Sequence, residues 1–122
     1  MKRIEIGVGG SFKEMVAEVI DVWHRAEAGE SLPEATPRID FATLGELYST
    51  LTEKRLELVR YIASHEGLNT HQLAKALGRD YKNVHTDVNA LTALELLAKD
   101  SRGRLSAPFD EIVIRAGIRR VA

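Results

Sequence analysis

The chain opens on a period of two. In "KRIEIGV" (Lys2–Val8), Ile4, Ile6 and Val8 fall on one side and Arg3 and Glu5 on the other, the signature of a half-buried strand. Gly9-Gly10 ends it, and the period becomes helical. Phe12, Met15, Val16, Val19, Ile20, Trp23 and Ala26 form one apolar stripe, with Ser11 and Glu14 at capping-box spacing before it and Gly29 as its stop. "ESLPEATPR" (30–38) has two prolines and no period, so it reads as a connecting loop, and "RIDF" as a brief strand. Thr43 and Glu46 repeat the capping-box spacing and open a short helix through Leu51. Thr52 caps the next helix, in which Leu56, Val59, Tyr61, Ile62 and Ala63 turn inward until Gly67 breaks it.

Two closely spaced helices follow. Thr70 is expected to cap "HQLAKAL", with Leu73, Ala74 and Leu77 buried. Gly78 closes that helix, Arg79 occupies the turn, and Asp80 caps a longer helix running to about Leu97. "LLAKD-SRGR-LSAP" reads as two short strands around a tight basic turn. The end of the chain, "FDEIVIRAGIRRVA", begins as an alternating strand and finishes basic. The two terminal strands are each too short to stand alone; they can pair with one another or across a two-fold axis.

Helix, three-residue turn, longer helix and hairpin is the order of a winged helix-turn-helix. With Val84 at the centre of the buried face, a step of about 100° per residue puts Val88, Leu91 and Glu95 within about 40° and Tyr81 at about 60°. Lys82, Thr86, Asn89 and Ala93 then point outward, with His85 at one margin and Asn83 at the other. Asp87 lies about 60° off the buried centre, where pairing with a nearby arginine would lock the motif.

Charge sharpens this picture. The formal net charge is only −1, but residues 1–50 carry five Lys+Arg against nine Asp+Glu, and residues 51–122 twelve against nine. The halves are therefore −4 and +3, a split suited to different partners, one of them a polyanion. The outward face of the second helix has no carboxylate in its first two turns. Lysine can donate to guanine O6 and N7, asparagine can pair with adenine, and Thr86 and His85 can serve bases or phosphates. Thr70 and Arg79, near helix N-termini, are placed for the phosphate backbone, and Lys99, Arg102 and Arg104 make the hairpin a cationic wing.

Here the sequence resembles a known group. "HQLAKALGRDYKNVHTDVNALTALELL", continuing through the SRGR hairpin, is similar to the winged helix-turn-helix of small prokaryotic transcriptional regulators. The "GRDYKNVHTDV..L" core with the upstream "LTEKRLELVRYI" helix resembles a family of predicted regulators, some of them assigned as antitoxins encoded beside a toxin. The resemblance covers Leu51–Pro108 well and the first strand and helix loosely. It implies that Tyr81, Lys82, Asn83, His85 and Thr86 are the readers, that Arg102 and Arg104 are wing contacts, and, for the antitoxin members, a cognate toxin as partner.

Other chemistries find little support. "GVGGS" (7–11) lacks the full G-x-G-x-x-G pattern and no G-K-[ST] follows it. The four histidines, His24, His65, His71 and His85, lie in different elements without a shared ligand spacing. With no cysteine, disulfides and thiolate chemistry are excluded. No hydrolase elbow is present, no signal-peptide core opens the chain, and no apolar run reaches the roughly 18 residues a membrane span needs.

The expectation is thus an α+β, mainly helical protein with three parts. Residues 1–51 form an N-terminal strand-helix extension, 52–107 a winged helix-turn-helix, and 108–122 a C-terminal strand and basic tail. The function expected is sequence-specific binding of double-stranded DNA as a cytoplasmic, homodimeric regulator, without enzymatic activity, cofactor, metal or membrane partner. Phe12, Met15, Val16, Val19 and Trp23 would form the dimer or partner interface, Trp23 as its anchor. The rival expectation is a winged-helix protein-interaction module that never meets DNA.

Overall fold

The computed structural model describes residues 1–10, 12–30 and 36–118, the side chains of residues 12–15 excepted. The protein is α+β and mainly helical. Its elements are β1 (Arg3–Val8), α1 (Phe12–Glu27), β2 (Arg38–Phe41), α2 (Leu44–Thr50), α3 (Glu53–Ser64), α4 (Thr70–Leu77), α5 (Tyr81–Ala93), β3 (Ala98–Lys99), β4 (Leu105–Ser106) and β5 (Glu111–Ala116). They divide into two compact units, one of Met1–Lys2 with Tyr48–Asp110, the other of Arg3–Leu47 with Glu111–Ala122.

The second unit is built on a parallel sheet of order β2-β1-β5, in which the two end strands pair with one another. The registers Ile4↔Ile112, Ile6↔Ile114, Ile6↔Ile39 and Val8↔Phe41 put these β-branched and aromatic partners on one face. The other face is charged, with Arg3–Glu111, Arg115–Glu5 and Arg38–Asp40 paired on it. Gly7 faces that side, and a Cβ there would stand 2.5 Å from Asp40 Oδ1. The expected apolar stripe of α1 is exposed along its described length: Val16, Val19, Ile20, Trp23 and Ala26 all face solvent, Trp23 at 65%. The side chains of Phe12 and Met15 and the Ser11–Glu14 capping box lie outside the described residues. Thr43 Oγ1 accepts from the Glu46 N–H, and the Glu46 carboxylate accepts from the Ala42 N–H.

In the first unit, α3, α4 and α5 surround Leu58, Ile62, Leu73, Ala74, Val84, Val88 and Leu91, all buried, with Leu96, Leu97 and Leu105 completing the core. Thr52 caps α3 by accepting from the Arg55 N–H. Its inward residues are Leu58 and Ile62, whereas Ala63, expected inside, is exposed. The α4 cap is Asn69, one residue before the Thr70 expected. Asn69 has extended backbone, its side chain accepts from the Gln72 N–H, and Gln72 Oε1 accepts from the Asn69 N–H. That reciprocal pair satisfies two N–H groups at once, which a threonine followed three residues later by leucine cannot do.

Both α4 and α5 end with the same two bonds. After α4, Gly78 at φ 63° donates to Lys75 O and Arg79 donates to Ala74 O. After α5, Glu95 at φ 63° donates to Thr92 O and Leu96 donates to Leu91 O. The helix therefore stops at Ala93, short of the expected Leu97. Burial of Leu96 beside Leu91 holds a non-glycine residue in the left-handed region. The β3–β4 hairpin then forms with Ala98↔Ser106 and Lys99↔Leu105 in register. Leu105 is tied on its other side as well, donating to Leu68 O and accepting from the Gly67 N–H. Relief of the left-handed strain at an exposed site gives a first prediction. Glu95→Gly should raise the unfolding free energy by about 0.5–1 kcal/mol in a denaturant melt, whereas Glu95→Val should lower it.

Candidate nucleic-acid interface

The site is assembled around Asp87. This carboxylate sits on α5, its side chain 14% exposed, and accepts from Arg55 Nε of α3 at 3.0 Å and from Arg79 Nη2 of the α4–α5 turn at 2.7 Å. Arg55 also donates through Nη1 to Thr50 O at 2.7 Å. Burial pushes the Asp87 carboxyl up, but the hydrogen bonds and charges of Arg79 and Arg55 together outweigh it and hold the carboxyl below its ordinary value. One acid thus fixes three segments, and the expected structural role for Asp87 is what the geometry gives. Arg79, expected at the phosphate backbone, is engaged in this bridge through Nη2.

Fixing α5 this way settles which side chains face outward. Asp80 caps it by accepting from the Asn83 N–H, and Val84, Val88 and Leu91 anchor it. Tyr81, Lys82, Asn83, His85, Thr86 and Asn89 are all exposed. Lys82 forms no ion pair among the described residues, so its ammonium is open to solvent. The Thr86 hydroxyl donates to Lys82 O at 3.0 Å, which leaves its lone pairs and methyl group outward. Asn89 Nδ2 lies 3.4 Å from His85 Nδ1, linking the two across one helical turn. Thr70, by contrast, is 7% exposed at the first turn of α4, so its side chain belongs to the core.

A histidine passed over in the sequence completes this face. His71, in the first turn of α4, stacks on Tyr81 with ring centroids 3.9 Å apart and planes 5° from parallel. Tyr81 also meets His85 at 5.6 Å and 35°. Sequence spacing brings Tyr81 and His85 together at i,i+4, but nothing in it brings His71 to them. Only the sharp turn through Gly78 does so.

The hairpin presents its cations unevenly. Asp100 accepts from the backbone N–H groups of Arg102 and Arg104 and from Arg104 Nε, each at 2.9 Å. Those donors, the Arg104 backbone N–H foremost, lower the Asp100 carboxyl and shape the turn, with Gly103 at φ 77°. Arg104 is therefore partly engaged with Asp100. Lys99 and Arg102 are exposed and form no ion pair among the described residues. No group of three or more His, Cys, Asp or Glu capable of holding a metal occurs among the described residues, and no described helix is long and apolar enough to cross a membrane.

The family model of HVO_A0114 matches residues 50–114, just over half of the chain. The chain belongs to this family. Its HVO_A0114 region spans α3 through β4 and most of β5, and so contains Arg55, Asp87, His71, the whole of α5 and the hairpin. None of the curated proteins matches the chain.

The Asp87 bridge carries a stability prediction. Asp87→Asn leaves two largely buried guanidinium groups without their anion, and should cost about 2–4 kcal/mol at neutral pH by denaturant melt. Because the folded carboxyl titrates below its unfolded value, near about 3.9, the bridge's contribution is complete above that pH. It is lost as pH falls through the lower folded value, so the gap between wild type and Asp87→Asn should narrow in acid.

Proposed function

We propose that this protein is a sequence-specific, double-stranded DNA-binding regulator with a winged helix-turn-helix. In this reading α5 enters the major groove and the hairpin lies on the flanking backbone. The observation that carries it is the outward face of α5. Six exposed side chains able to donate to or accept from base edges stand on a helix held by Asp87, and that face has no carboxylate. Lys82 serves guanine, Asn83 or Asn89 serves adenine, and the Thr86 methyl meets thymine. Tyr81 and His85 border the groove, while Lys99, Arg102 and the free side of Arg104 neutralise phosphates. Arg79 acts chiefly by positioning α5. Regulation follows from occupancy of a promoter, by occlusion or recruitment, and needs no catalytic step.

The exposed α1 face supports a second part of the proposal, a homodimer in which another copy covers Val19, Ile20 and Trp23. Two-fold symmetry would place two α5 helices on successive major grooves, about 34 Å apart. An antitoxin role, with a toxin taking that same face, belongs to the same reading. A protein-interaction module without DNA binding is the competing one.

Duplex DNA from the gene's own upstream region should bind with an affinity that falls steeply between low and moderate salt. Lys82→Ala or Asn83→Ala should cost about 1–3 kcal/mol and relax specificity at one position, while Arg102→Ala should weaken all sequences alike and flatten the salt slope. Binding that is absent, or indifferent to salt, would exclude the DNA reading in favour of the protein module. For the dimer, sedimentation of Trp23→Ala should show half the wild-type mass; an unchanged mass would remove α1 from the interface.

A further inference from the structure

His71 is exposed and forms no ion pair among the described residues, yet its ring lies flat on Tyr81. The two belong to different helices. Tyr81 is the first residue of α5, 39% exposed, and without a neighbour its ring could rotate freely between solvent and the groove side. Three rings and an amide form a continuous rib: His71, Tyr81, His85 and Asn89. The last three are spaced i, i+4, i+8 on α5, so the rib runs along one margin of the proposed reading face. His71 is its only member from α4.

We propose that His71 is a positioning residue for DNA recognition: by stacking on Tyr81 across the α4–α5 junction, it presets the rib through which Tyr81, His85 and Asn89 meet one strand of the duplex. The inference rests on the DNA-binding reading and adds a specificity-determining residue to it. Two near-parallel rings with centroids 3.9 Å apart restrict one another's rotation. A side chain already held in its bound orientation loses less conformational freedom on binding, which strengthens the contact without any new bond to DNA. The effect should therefore fall on sequence-specific affinity. Phosphate contacts from the hairpin, which dominate non-specific binding and its salt dependence, lie elsewhere and should not change.

The test compares wild type, His71→Ala and His71→Phe on two probes, the upstream duplex and a scrambled duplex of equal length. His71→Ala should weaken binding to the upstream duplex about tenfold, leave the scrambled duplex within about twofold, and keep the salt slope. His71→Phe should restore binding, since a benzene ring can stack as the imidazole does. In DNA-free protein, the Tyr81 ring-proton resonances should move in His71→Ala and stay shielded in His71→Phe. If His71→Phe fails as His71→Ala does, the imidazole bonds DNA itself and the positioning role is overturned. Equal loss on both duplexes, or no loss, overturns it too. A wild-type chain with no salt-sensitive binding to either duplex would instead remove the DNA reading, and this inference with it.

Discussion

Everything proposed for the α5 face depends on the carboxylate of Asp87 and the two arginines that share it. A helix as short as α5 has little stability of its own. It is held in one orientation by three apolar anchors below and by an ionic clasp at its flank. Arg55 brings in α3 and, through Thr50 O, the segment before it; Arg79 brings in the tight turn. Apolar packing alone tolerates small rotations of a helix, because it is non-directional. Charge-assisted bonds from planar guanidinium groups are directional. The clasp therefore fixes the azimuth of α5, and with it the identity of the residues presented outward.

That constraint sorts the cations of the region. Arg55 and Arg79 serve the interior and Arg104 is partly turned to Asp100, while Lys82, Lys99 and Arg102 remain open. A count of positive charge along residues 51–122 cannot make this distinction. The same holds for the hydroxyls, since Thr86 reaches back to its own helix and Thr70 is buried.

Much of the first unit was legible in the sequence because its signals are local. Gly78 and Asp80 mark the turn unambiguously, and Val84, Val88 and Leu91 keep helical spacing with the polar residues between them. Asp87 was readable as structural from its angle on the wheel. Failures came where a contact that the simplest local rule ignores decided the outcome. Glu95 lacks the glycine signal of a helix stop, and only the burial of Leu96 reveals that α5 ends there. Asn69 outcompetes Thr70 because Gln72 can return its bond. His71 joined the site only through the chain reversal at Gly78. In the second unit, the pairing of β1 with β5 was one of two options that alternation alone left equal. The stripe on α1 was readable as amphipathic, but periodicity cannot say whether such a face meets the chain's own core, and its described members are exposed.

The most direct measurement of the central claim is a backbone-amide NMR titration of the labelled protein with the upstream duplex at low salt. The account predicts that shifts concentrate on residues 81–89 of α5, on His71 and on 99–104 of the hairpin, and that added salt reverses them. Shifts centred on α1, or none at concentrations where the duplex is in excess, would contradict it.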